Sequence, residues 1–286
     1  MKKVLIIAIV SMLLLTPVAS YAEAPVINQH PELPTGCEAT ALTMLLNWAG
    51  VDVGKEDVAR KIPWGPRPQN GFGANPHKEF VGNPFSITGF GVYDVPIYNT
   101  LDSYMPGLAM NLTGQPFKKI VKVAETKPVV IWITRGFEVS RPTRTWEDKQ
   151  GNSIVWVAPE HAVLLVKCDT ETGTIHDPDT GRAETVSLSR LKASWDAMGK
   201  RAVTVKFQKV TVQKEHKKTK AVLINGRTYV PEDFFPFVTI SEDNLEIGHK
   251  VFIPVRAQAE KLGYKVGWNN KGEVTLIKID RTEATK

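Results

Sequence analysis

Helical patterns fill the first half of this chain and strand patterns follow, and this order constrains the fold more than any other feature of the sequence. Apolar residues recur at helical spacing over Cys37–Ala49, and Gly50 stands where a helix would end. Two further helical patterns cover residues 95–104 and 117–125, and strand patterns then run from 128 to 207. Helices followed by mostly β segments predict an α+β domain.

The strand patterns are short apolar runs, and one helical pattern precedes the last of them. The runs are PVVIWIT, SIVWVA, HAVLLVKC, GTIH and AVTVKF, and the helical pattern is LSRLKASWDAM. A chain of 286 residues, 42% hydrophobic and 23% charged, is long enough for two globular domains of roughly 150 residues each. We therefore predict a larger domain over 25–207, a basic linker over 208–220 and a small α+β domain over 221–286.

The N-terminus has the three parts of a secretory signal peptide. Two lysines precede an apolar run over residues 4–15, and Pro17 and small residues follow up to Ala22 or Ala24. The apolar run is too short to span a bilayer comfortably, and no second run long enough occurs downstream. We expect residues 1–24 to be removed and the mature protein to be secreted, extracellular or cell-wall associated, with no membrane span. A retained signal anchor is the alternative.

Net charge argues against nucleic-acid binding. Lysine and arginine number 36 against 30 acidic residues, and the formal charge of +6 falls to about +4 once Lys2 and Lys3 leave with the signal peptide. The excess is spread along the chain apart from a basic run over 214–220, whereas a nucleic-acid binder usually carries a clustered basic face. The basic run is expected to be solvated, with contact to an anionic cell-wall polymer as the alternative.

Two cysteines occur, Cys37 and Cys168, which are too few for a disulfide scaffold. They could form one structural bridge, or Cys37 could be a small buried apolar residue, or its thiol could be kept for chemistry. Cys37 opens the first predicted helix, where exposed backbone N–H groups favour the thiolate and lower the thiol pKa from about 8.5. This position favours a nucleophile, which needs a base, a group that orients the base and donors for an oxyanion.

Candidates for these three roles occur elsewhere in the sequence. His161 begins the apolar strand HAVLLVKC, where a polar ring is costly to bury unless it is paired, so it is the best candidate base. Asp177 follows the strand GTIH and could fix the tautomer of His161 from a neighbouring strand. Gln29 precedes Cys37 and offers a side-chain amide for the oxyanion hole. As alternatives, His161 could be a hydrogen-bonded core histidine and Asp177 could cap the turn before Pro178.

Other polar residues near these candidates fit a catalytic role less well. On an alternating strand, Cys168 falls on the opposite face from His161, so we expect Cys168 to lie in the core. His176 should face away from its neighbour Asp177 and is therefore expected to be non-catalytic. A metal site could in principle use His161, Cys168, His176 and Asp177, but the same alternation along the strands places these four side chains on both sides of the sheet. Its spacing fits no zinc pattern, so no metal and no cofactor are predicted.

A long irregular loop is predicted over residues 62–92, which are rich in glycine, proline and asparagine and lack periodicity. Loops of this length in a compact domain are usually functional. His77, Phe80 and Asn83 of this loop are candidate substrate contacts. For His77, ordinary surface exposure is the alternative.

Three motifs, in order, resemble a known family. The run QHPELPTGCEATALTMLLNWAG resembles the nucleophile region of papain-like cysteine peptidases related to the bacteriocin-leader (double-glycine) processing peptidases. PHKEFVGNPFSITGFGVYDVPI is similar to the secreted branch of that family, and HAVLLV followed by HDPDTG completes the order Cys, His, Asp. The resemblance covers residues 26–207 and implies a papain-like fold with Cys37 as nucleophile and His161 as general base. Asp177 would then orient His161, and Gln29 would donate to the oxyanion.

The C-terminal residues resemble a second family. VLINGRTYVP and VFIPVRAQAEKLGYKVGWNNKGEVTLIKI are similar to the small stalk-like domain named after the N-terminal domain of copper amine oxidases, over residues 220–280. The name implies no copper here, because His249 is the one histidine of that region and no ligand cluster accompanies it. The resemblance implies an accessory domain that positions or anchors the first.

These expectations converge on a secreted thiol hydrolase, a cysteine peptidase that needs no cofactor. Its substrate would be an extracellular peptide, a protein or a peptidoglycan cross-link, because the predicted signal peptide sets the chain apart from the transporter-fused bacteriocin-processing relatives. Contact with a cell-wall polymer would fall to the second domain and the basic linker. Two alternatives stay open: a catalytically silent papain-like binding or adhesion module, and a cell-wall amidase or transpeptidase.

Overall fold

A computed structural model describes most of the chain after the predicted signal peptide. The described residues are 23–214, 217–225, 227–235, 244–247, 250–269 and 273–278. The predicted signal peptide lies outside them except for its last two residues, and so does His249. Within the described residues, every helix is too short or too polar to cross a membrane.

The first unit packs helices against a six-stranded antiparallel sheet. Its helices are α1 (Cys37–Ala49), α2 (Lys55–Lys61), α3 (Asp94–Tyr104), α4 (Phe117–Ala124) and α5 (Leu188–Ala197). Its strands are β1 (Trp64–Gly65), β2 (Phe80–Val81), β3 (Ala109–Asn111), β4 (Val129–Thr134), β5 (Arg141–Glu147), β6 (Ser153–Ala158), β7 (Glu160–Cys168), β8 (Thr172–Asp177), β9 (Arg182–Ser187) and β10 (Ala202–Val205). The sheet has the order β3-β10-β4-β7-β8-β9, while β5 pairs with β6 and β1 with β2. The predicted α+β class is confirmed.

Helix α1 is the most deeply buried helix of this unit. All its residues except Asn47 are buried, because it packs against β4, β7, α2 and α3 rather than facing solvent. Its last carbonyls accept the backbone N–H of Gly50, whose φ of 106° costs a glycine little. Cys37 therefore begins a helix that is fixed by packing along its whole length.

Both faces of the sheet are covered. One face packs on α1 through Val130, Trp132, Ala162 and Leu164. The other face packs on α4 and α5 through Val129, Ile131, Ile133, Val163 and Leu165. Strand β4 is buried at every position for this reason, and β7 at most positions.

A bulge in β7 changes the position predicted for Cys168. The pairing of β7 with β8 shifts register between Leu165 and Lys167. Cys168 therefore returns to the face that carries Val163 and Leu165, and it packs with them. The prediction that Cys168 faces opposite to His161 is wrong, because simple alternation does not allow for the extra residue. The prediction that Cys168 is buried in the core is confirmed.

The second unit is built on a seven-stranded sheet. Its described elements are β11 (Gln208–Lys214), β12 (Lys217–Ile224), β13 (Arg227–Pro231), β14 (Leu245–Ile247), β15 (Lys250–Pro254), α6 (Val255–Lys261), β16 (Tyr264–Trp268) and β17 (Val274–Lys278). The strand order is β14-β15-β13-β12-β11-β17-β16. The chain therefore leaves the first sheet at β10 and enters the second at β11.

The basic linker predicted over 208–220 is wrong for the residues that the structure describes there, because 208–214 form β11 and 217–220 begin β12, and the two strands pair antiparallel. Val210 and Val212 of β11 are buried in the core of the second unit. Their spacing of two is that of a half-buried strand. The linker prediction rests on the lysine content of this segment. The alternation of Val210 and Val212, which is typical of a strand, is the sequence signal against it.

The second unit packs against the C-terminal end of α1. Trp48 of α1 stacks on Phe207, the residue just before β11, with ring centroids 6.0 Å apart and planes at 10°. Val222, Ile224 and Tyr229 of the second sheet belong to the same buried cluster as α1. This contact is at the end of α1 that lies away from Cys37.

Candidate active site

The thiol of Cys37 lies at the first turn of α1 and is 5% exposed. It donates a hydrogen bond to Oε2 of Glu38, with Sγ and Oε2 3.4 Å apart. The backbone N–H of Ala162, in β7, donates to Sγ from the other side. The thiol therefore lies between α1, which carries it, and the start of β7.

His161 and Asp177 form a close pair on adjacent strands. Nε2 of His161 lies 2.7 Å from Oδ1 of Asp177, and the His161 side chain is 1% exposed. Burial raises the pKa of the Asp177 carboxyl, but the hydrogen bond and charge of His161, with the backbone N–H groups of Asp179 and Thr180, together hold it below its ordinary value. Asp177 is therefore an ionised acceptor that fixes the orientation of the imidazole.

The second nitrogen of His161 is left for another partner. Nδ1 is buried, and no described residue forms a hydrogen bond with it. No hydrogen bond joins it to Cys37 in the part of the chain that the structure describes, but both chain neighbours of His161 lie beside the thiol. Ala162 donates its N–H to Sγ, and a carboxylate oxygen of Glu160 lies within 4.8 Å of it. The start of β7 is thus placed beside Cys37.

Two glutamates that the sequence reasoning missed lie beside the thiol. Glu38 is fully buried, and its Oε1 accepts the backbone N–H of Val92. Oε1 of Glu160 is buried without a hydrogen-bond partner. Each glutamate interrupts an apolar pattern, Glu38 in α1 and Glu160 at the start of β7, and an unpaired carboxylate is costly to bury. That cost was the signal that could have identified them.

Burial and these carboxylates set the protonation of the site. Burial, then the charges of Glu38 and Glu160, raises the pKa of the Cys37 thiol well above its ordinary value, and the Ala162 N–H opposes this only in part. Burial also raises the pKa of Glu38 to about 7, and burial together with Glu38 raises that of Glu160. Burial and the two carboxylates therefore oppose the lowering of the thiol pKa that is expected from the helix N-terminus.

The same three side chains are also close enough to one another for a cation site. Sγ of Cys37 and carboxylate oxygens of Glu38 and Glu160 lie within 4.8 Å of one another, which is close enough for a cation to be held among them. In the structure, the thiol donates a hydrogen bond to Glu38. Burial raises the pKa of all three groups, and protonated groups are poor cation ligands.

Gln29, the predicted oxyanion donor, is fully buried near the pair of His161 and Asp177. Its backbone N–H donates to the carbonyl of Pro178, 2.8 Å away, which anchors it next to the end of β8. Its side-chain Nε2 donates to the carbonyl of Pro34 over 3.1 Å, and its Oε1 is buried without a partner. An amide nitrogen carries two hydrogens, so one donor of Gln29 is used by Pro34 and one is not.

The three predicted substrate contacts have different surroundings. Phe80, in β2, is 1% exposed and packs in the core, so its side chain offers a substrate no surface and the prediction is corrected to a packing role. His77 is exposed and packs edge-on against Tyr93, with ring centroids 4.9 Å apart. The carbonyl of Asn83 accepts the Thr35 hydroxyl over 3.4 Å, two residues before Cys37. Asn83 is thus placed to support the entry to α1.

His176 lies apart from the pair formed by its neighbour Asp177. Its Nδ1 lies 3.1 Å from the carbonyl of Pro25, and the ring is buried against the N-terminal segment. Cys168 is buried as a free thiol, as is Cys37, so no bridge joins them. The imidazole that pairs with a carboxylate beside Cys37 is therefore that of His161.

The fold and the site together define a class of protein. A cysteine at the N-terminus of a buried helix, with a histidine and an aspartate on adjacent strands of an α+β domain, is the arrangement of papain-like cysteine peptidases. The chain belongs to the Peptidase_C39 like family, which matches residues 21–203.

Individual relatives agree with this family. The uncharacterized protein YvpB of Bacillus subtilis (strain 168) is 30% identical over 177 residues, which are 61% of this chain and 70% of that protein. A crystal structure from Bacillus anthracis, assigned provisionally as a C39-like peptidase, is 32% identical and has a TM-score of 0.59 over 64% of this chain and 94% of its own. The described fold therefore matches a C39-like peptidase fold.

A more distant similarity involves a double glycine motif protease from an AMS/PCAT transporter in complex with the leader peptide. It is 17% identical, with a TM-score of 0.38 over 66% of this chain and 94% of its own. That similarity is too low to define a shared fold.

Proposed function

We propose that this protein is a secreted cysteine peptidase that cleaves an extracytoplasmic peptide through Cys37, His161 and Asp177. The observation that carries the proposal is the state of His161. Its Nε2 is fixed by Asp177, its buried Nδ1 has no partner among the described residues, and the residues on both sides of it lie beside the thiol. A base that is oriented at one nitrogen and free at the other is what a thiol nucleophile requires.

The proposed reaction has two stages. Sγ of Cys37 attacks the carbonyl carbon of the scissile bond while its proton passes to Nδ1 of His161. The C–N bond then breaks, His161 returns the proton to the leaving amine, and an acyl-enzyme remains. Water attacks the acyl-enzyme with His161 again as base, releasing the acid and restoring the thiol.

Donors for the oxyanion are present near the nucleophile. The backbone N–H of Cys37 belongs to the first turn of α1, where helical N–H groups lack intrahelical acceptors. The second N–H of Gln29 is the other proposed donor, since Pro34 uses only one. Asn83 and His77 are proposed to act on the substrate side, Asn83 by holding the loop that supports Thr35.

The sequence supports the proposals of secretion and of the substrate class. The predicted signal peptide supports an extracytoplasmic location, and the intact mass of the mature protein should correspond to a chain that starts after Ala22 or Ala24. A peptide, a protein or a peptidoglycan cross-link is the proposed substrate. Addition of an amine nucleophile to the assay would distinguish a hydrolase from a transpeptidase, because only the latter gives a large share of aminolysis product.

The test is a peptide-library digestion read by mass spectrometry. The wild-type chain, Cys37→Ala and Asp177→Asn are compared, with Cys168→Ala as the matched cysteine control. Cleavage by wild type and by Cys168→Ala, none by Cys37→Ala and a loss of 100-fold or more in Asp177→Asn is expected, because amide replacement disturbs the imidazole tautomer. Equal cleavage by Cys37→Ala would refute the proposal, and no cleavage by any chain would favour the silent binding module.

A further inference from the structure

The glutamates beside Cys37 form a pair with fixed geometry. The main chain of Gly91 packs directly against both carboxylates. A Cβ built on Gly91 would lie 2.6 Å from Oε1 of Glu38 and 2.7 Å from Oε2 of Glu160. Oε1 of Glu38 is also held by the N–H of Val92. Glu38 therefore has little freedom to turn away from the thiol.

The direction of the thiol hydrogen bond is the second observation. Sγ donates to Oε2 of Glu38, and Nδ1 of His161 has no partner among the described residues. The proton that His161 must accept in the proposed reaction is thus directed at a carboxylate instead. The thiol has to leave Glu38 before His161 can deprotonate it.

The charge around the pair is the third observation. Two buried carboxylates this close to one another cannot both ionise easily, so the pair shares a proton. The charges of Arg201 and Arg135 favour the ionised form of Glu160. Burial raises the pKa of the Tyr93 hydroxyl, and the charges of Glu160 and Glu38 raise it further. The titratable and charged groups that interact with the pair are Cys37, Tyr93, Arg135 and Arg201. Asp94 forms an ion pair with Arg201, and His161, which follows Glu160 in the chain, forms one with Asp177.

We propose that Glu38 and Glu160 are positioning residues that hold Cys37 as a neutral thiol while the site is empty, so that the nucleophile is deprotonated by His161 only when a substrate displaces the thiol from Glu38. The site then stores no thiolate–imidazolium pair. This inference rests on the proposed function in taking Cys37 as the nucleophile, but the state of the thiol is a property of the free protein. Such a site would resist oxidation and alkylation until a substrate arrives.

The test is the rate at which iodoacetamide alkylates Cys37 between pH 5 and 10, followed by intact mass. The thiolate displaces iodide and forms the S–C bond, so the rate tracks the thiolate fraction. The full mature chain carries Cys168→Ala so that one thiol reports. Glu38→Gln and Glu160→Gln are compared with Glu56→Gln, the same change at an exposed carboxylate of α2.

The expected result is slow alkylation of the parent near pH 7. Glu38→Gln should react at least tenfold faster at pH 7, with its midpoint lowered by one pH unit or more, because one unit corresponds to a tenfold change in thiolate. Glu160→Gln should shift in the same direction, and Glu56→Gln should follow the parent. Glu38→Asp, which keeps the charge, should remain slow if far-UV circular dichroism shows it folded.

Two outcomes would overturn the inference. One is a parent whose thiol already reacts fully at pH 6, and the other is a Glu38→Gln profile that coincides with the parent or moves to higher pH. A profile that shifts as expected in a chain that cleaves no peptide supports the thiol control and counts against the peptidase. Cleavage together with an unshifted profile supports the peptidase and refutes the control by Glu38.

Discussion

Two electrostatic influences oppose each other at Cys37. The N-terminus of α1 favours a thiolate, an effect of about 0.3–1 kcal/mol at exposed sites and up to about 2 kcal/mol when partly buried. Full burial disfavours the charged form by up to about 3–5 pKa units, or roughly 4–7 kcal/mol. Burial and the neighbouring carboxylates therefore dominate, and the position of Cys37 on the helix does not by itself define its reactivity.

At Glu38, protonation should be coupled to folding. Burial raises its pKa from 4.5 to about 7, so the folded protein retains a proton that the unfolded chain releases above pH 4.5. Stability is therefore lost as the pH rises from 4.5 to about 7. Glu38→Gln should remove that loss, so its stability relative to wild type should improve between pH 5 and pH 8 by at most about 3 kcal/mol. Urea unfolding of both proteins at pH 5 and pH 8 measures this. The same difference in free energy of unfolding between wild type and Glu38→Gln at both pH values would contradict the prediction.

Gly91 should tolerate no side chain. Its φ is 151°, and a Cβ would meet carboxylate oxygens of Glu38 and Glu160 at 2.6 and 2.7 Å. Gly91→Ala should destabilise the protein by about 2–4 kcal/mol, because it adds backbone strain to overpacking. Gly107→Ala is the control, since Gly107 has a φ of 73° but open space around it, and about 1 kcal/mol is expected there. Chemical denaturation measures both variants. An equal loss of unfolding free energy in Gly91→Ala and Gly107→Ala would mean that Gly91 does not pack tightly against the carboxylates.

The order of the catalytic candidates could be predicted from the sequence because each is marked locally. Cys37 opens a helix, His161 opens a strand, and Asp177 precedes a proline. The roles of Glu38 and Glu160 could not be predicted in the same way, because their proximity arises only when β7 packs against α1. The same packing supplies the burial and the carboxylates that oppose the low thiol pKa expected from the helix N-terminus.

Strands β7 and β8 fix the imidazole because they are neighbours in the sheet. Leu164 pairs with His176, so the start of β7 lies beside the end of β8 and His161 reaches Asp177. The bulge of β7 lies after Leu165, towards the far end of the strand. The irregularity that misplaced Cys168 in the prediction therefore leaves the pairing at the site undisturbed.

Strand β4 supports the acidic pair through a single side chain. Nε1 of Trp132 donates to the carbonyl of Val92 over 2.9 Å, and the N–H of Val92 holds Glu38. Trp132→Phe should leave that buried carbonyl unpaired and cost about 1–3 kcal/mol. Trp268→Phe, at an exposed position, should change stability by less than about 0.5 kcal/mol. Thermal unfolding compares the two, and similar midpoints would show that the hydrogen bond contributes little.

Elements with strong local patterns were predicted well, and elements defined by partners were not. Helices α1, α3, α4 and α5 and strands β4, β6, β7, β8 and β10 match the predicted segments. Strand β5 was missed because nearly all its residues are exposed and its pairing with β6 is what defines it. Strands β11 and β12 were missed because their lysines resembled a linker.

At the scale of the whole molecule, the two units share a buried core at the end of α1. Trp48→Ala should remove the stacking partner of Phe207 and lower stability by about 3–5 kcal/mol. A single calorimetric transition is expected for wild type and two separate transitions for the variant, because the units lose their common core. Trp64→Ala, at an exposed ring, should keep one transition. Two transitions already present in wild type would mean that the units unfold independently.

The strand order of the first sheet has a consequence in time. Strand β10, which ends at Val205, lies between β3 and β4, so β3 has no partner in the sheet and β4 has only β7 until β10 has been made. Cys37 leaves the ribosome long before that. At about 5–20 residues per second, β10 leaves the ribosome on the order of ten to thirty seconds after Cys37. Under the proposed function, a newly made chain therefore passes through an interval in which the sheet that supports its active site is still incomplete.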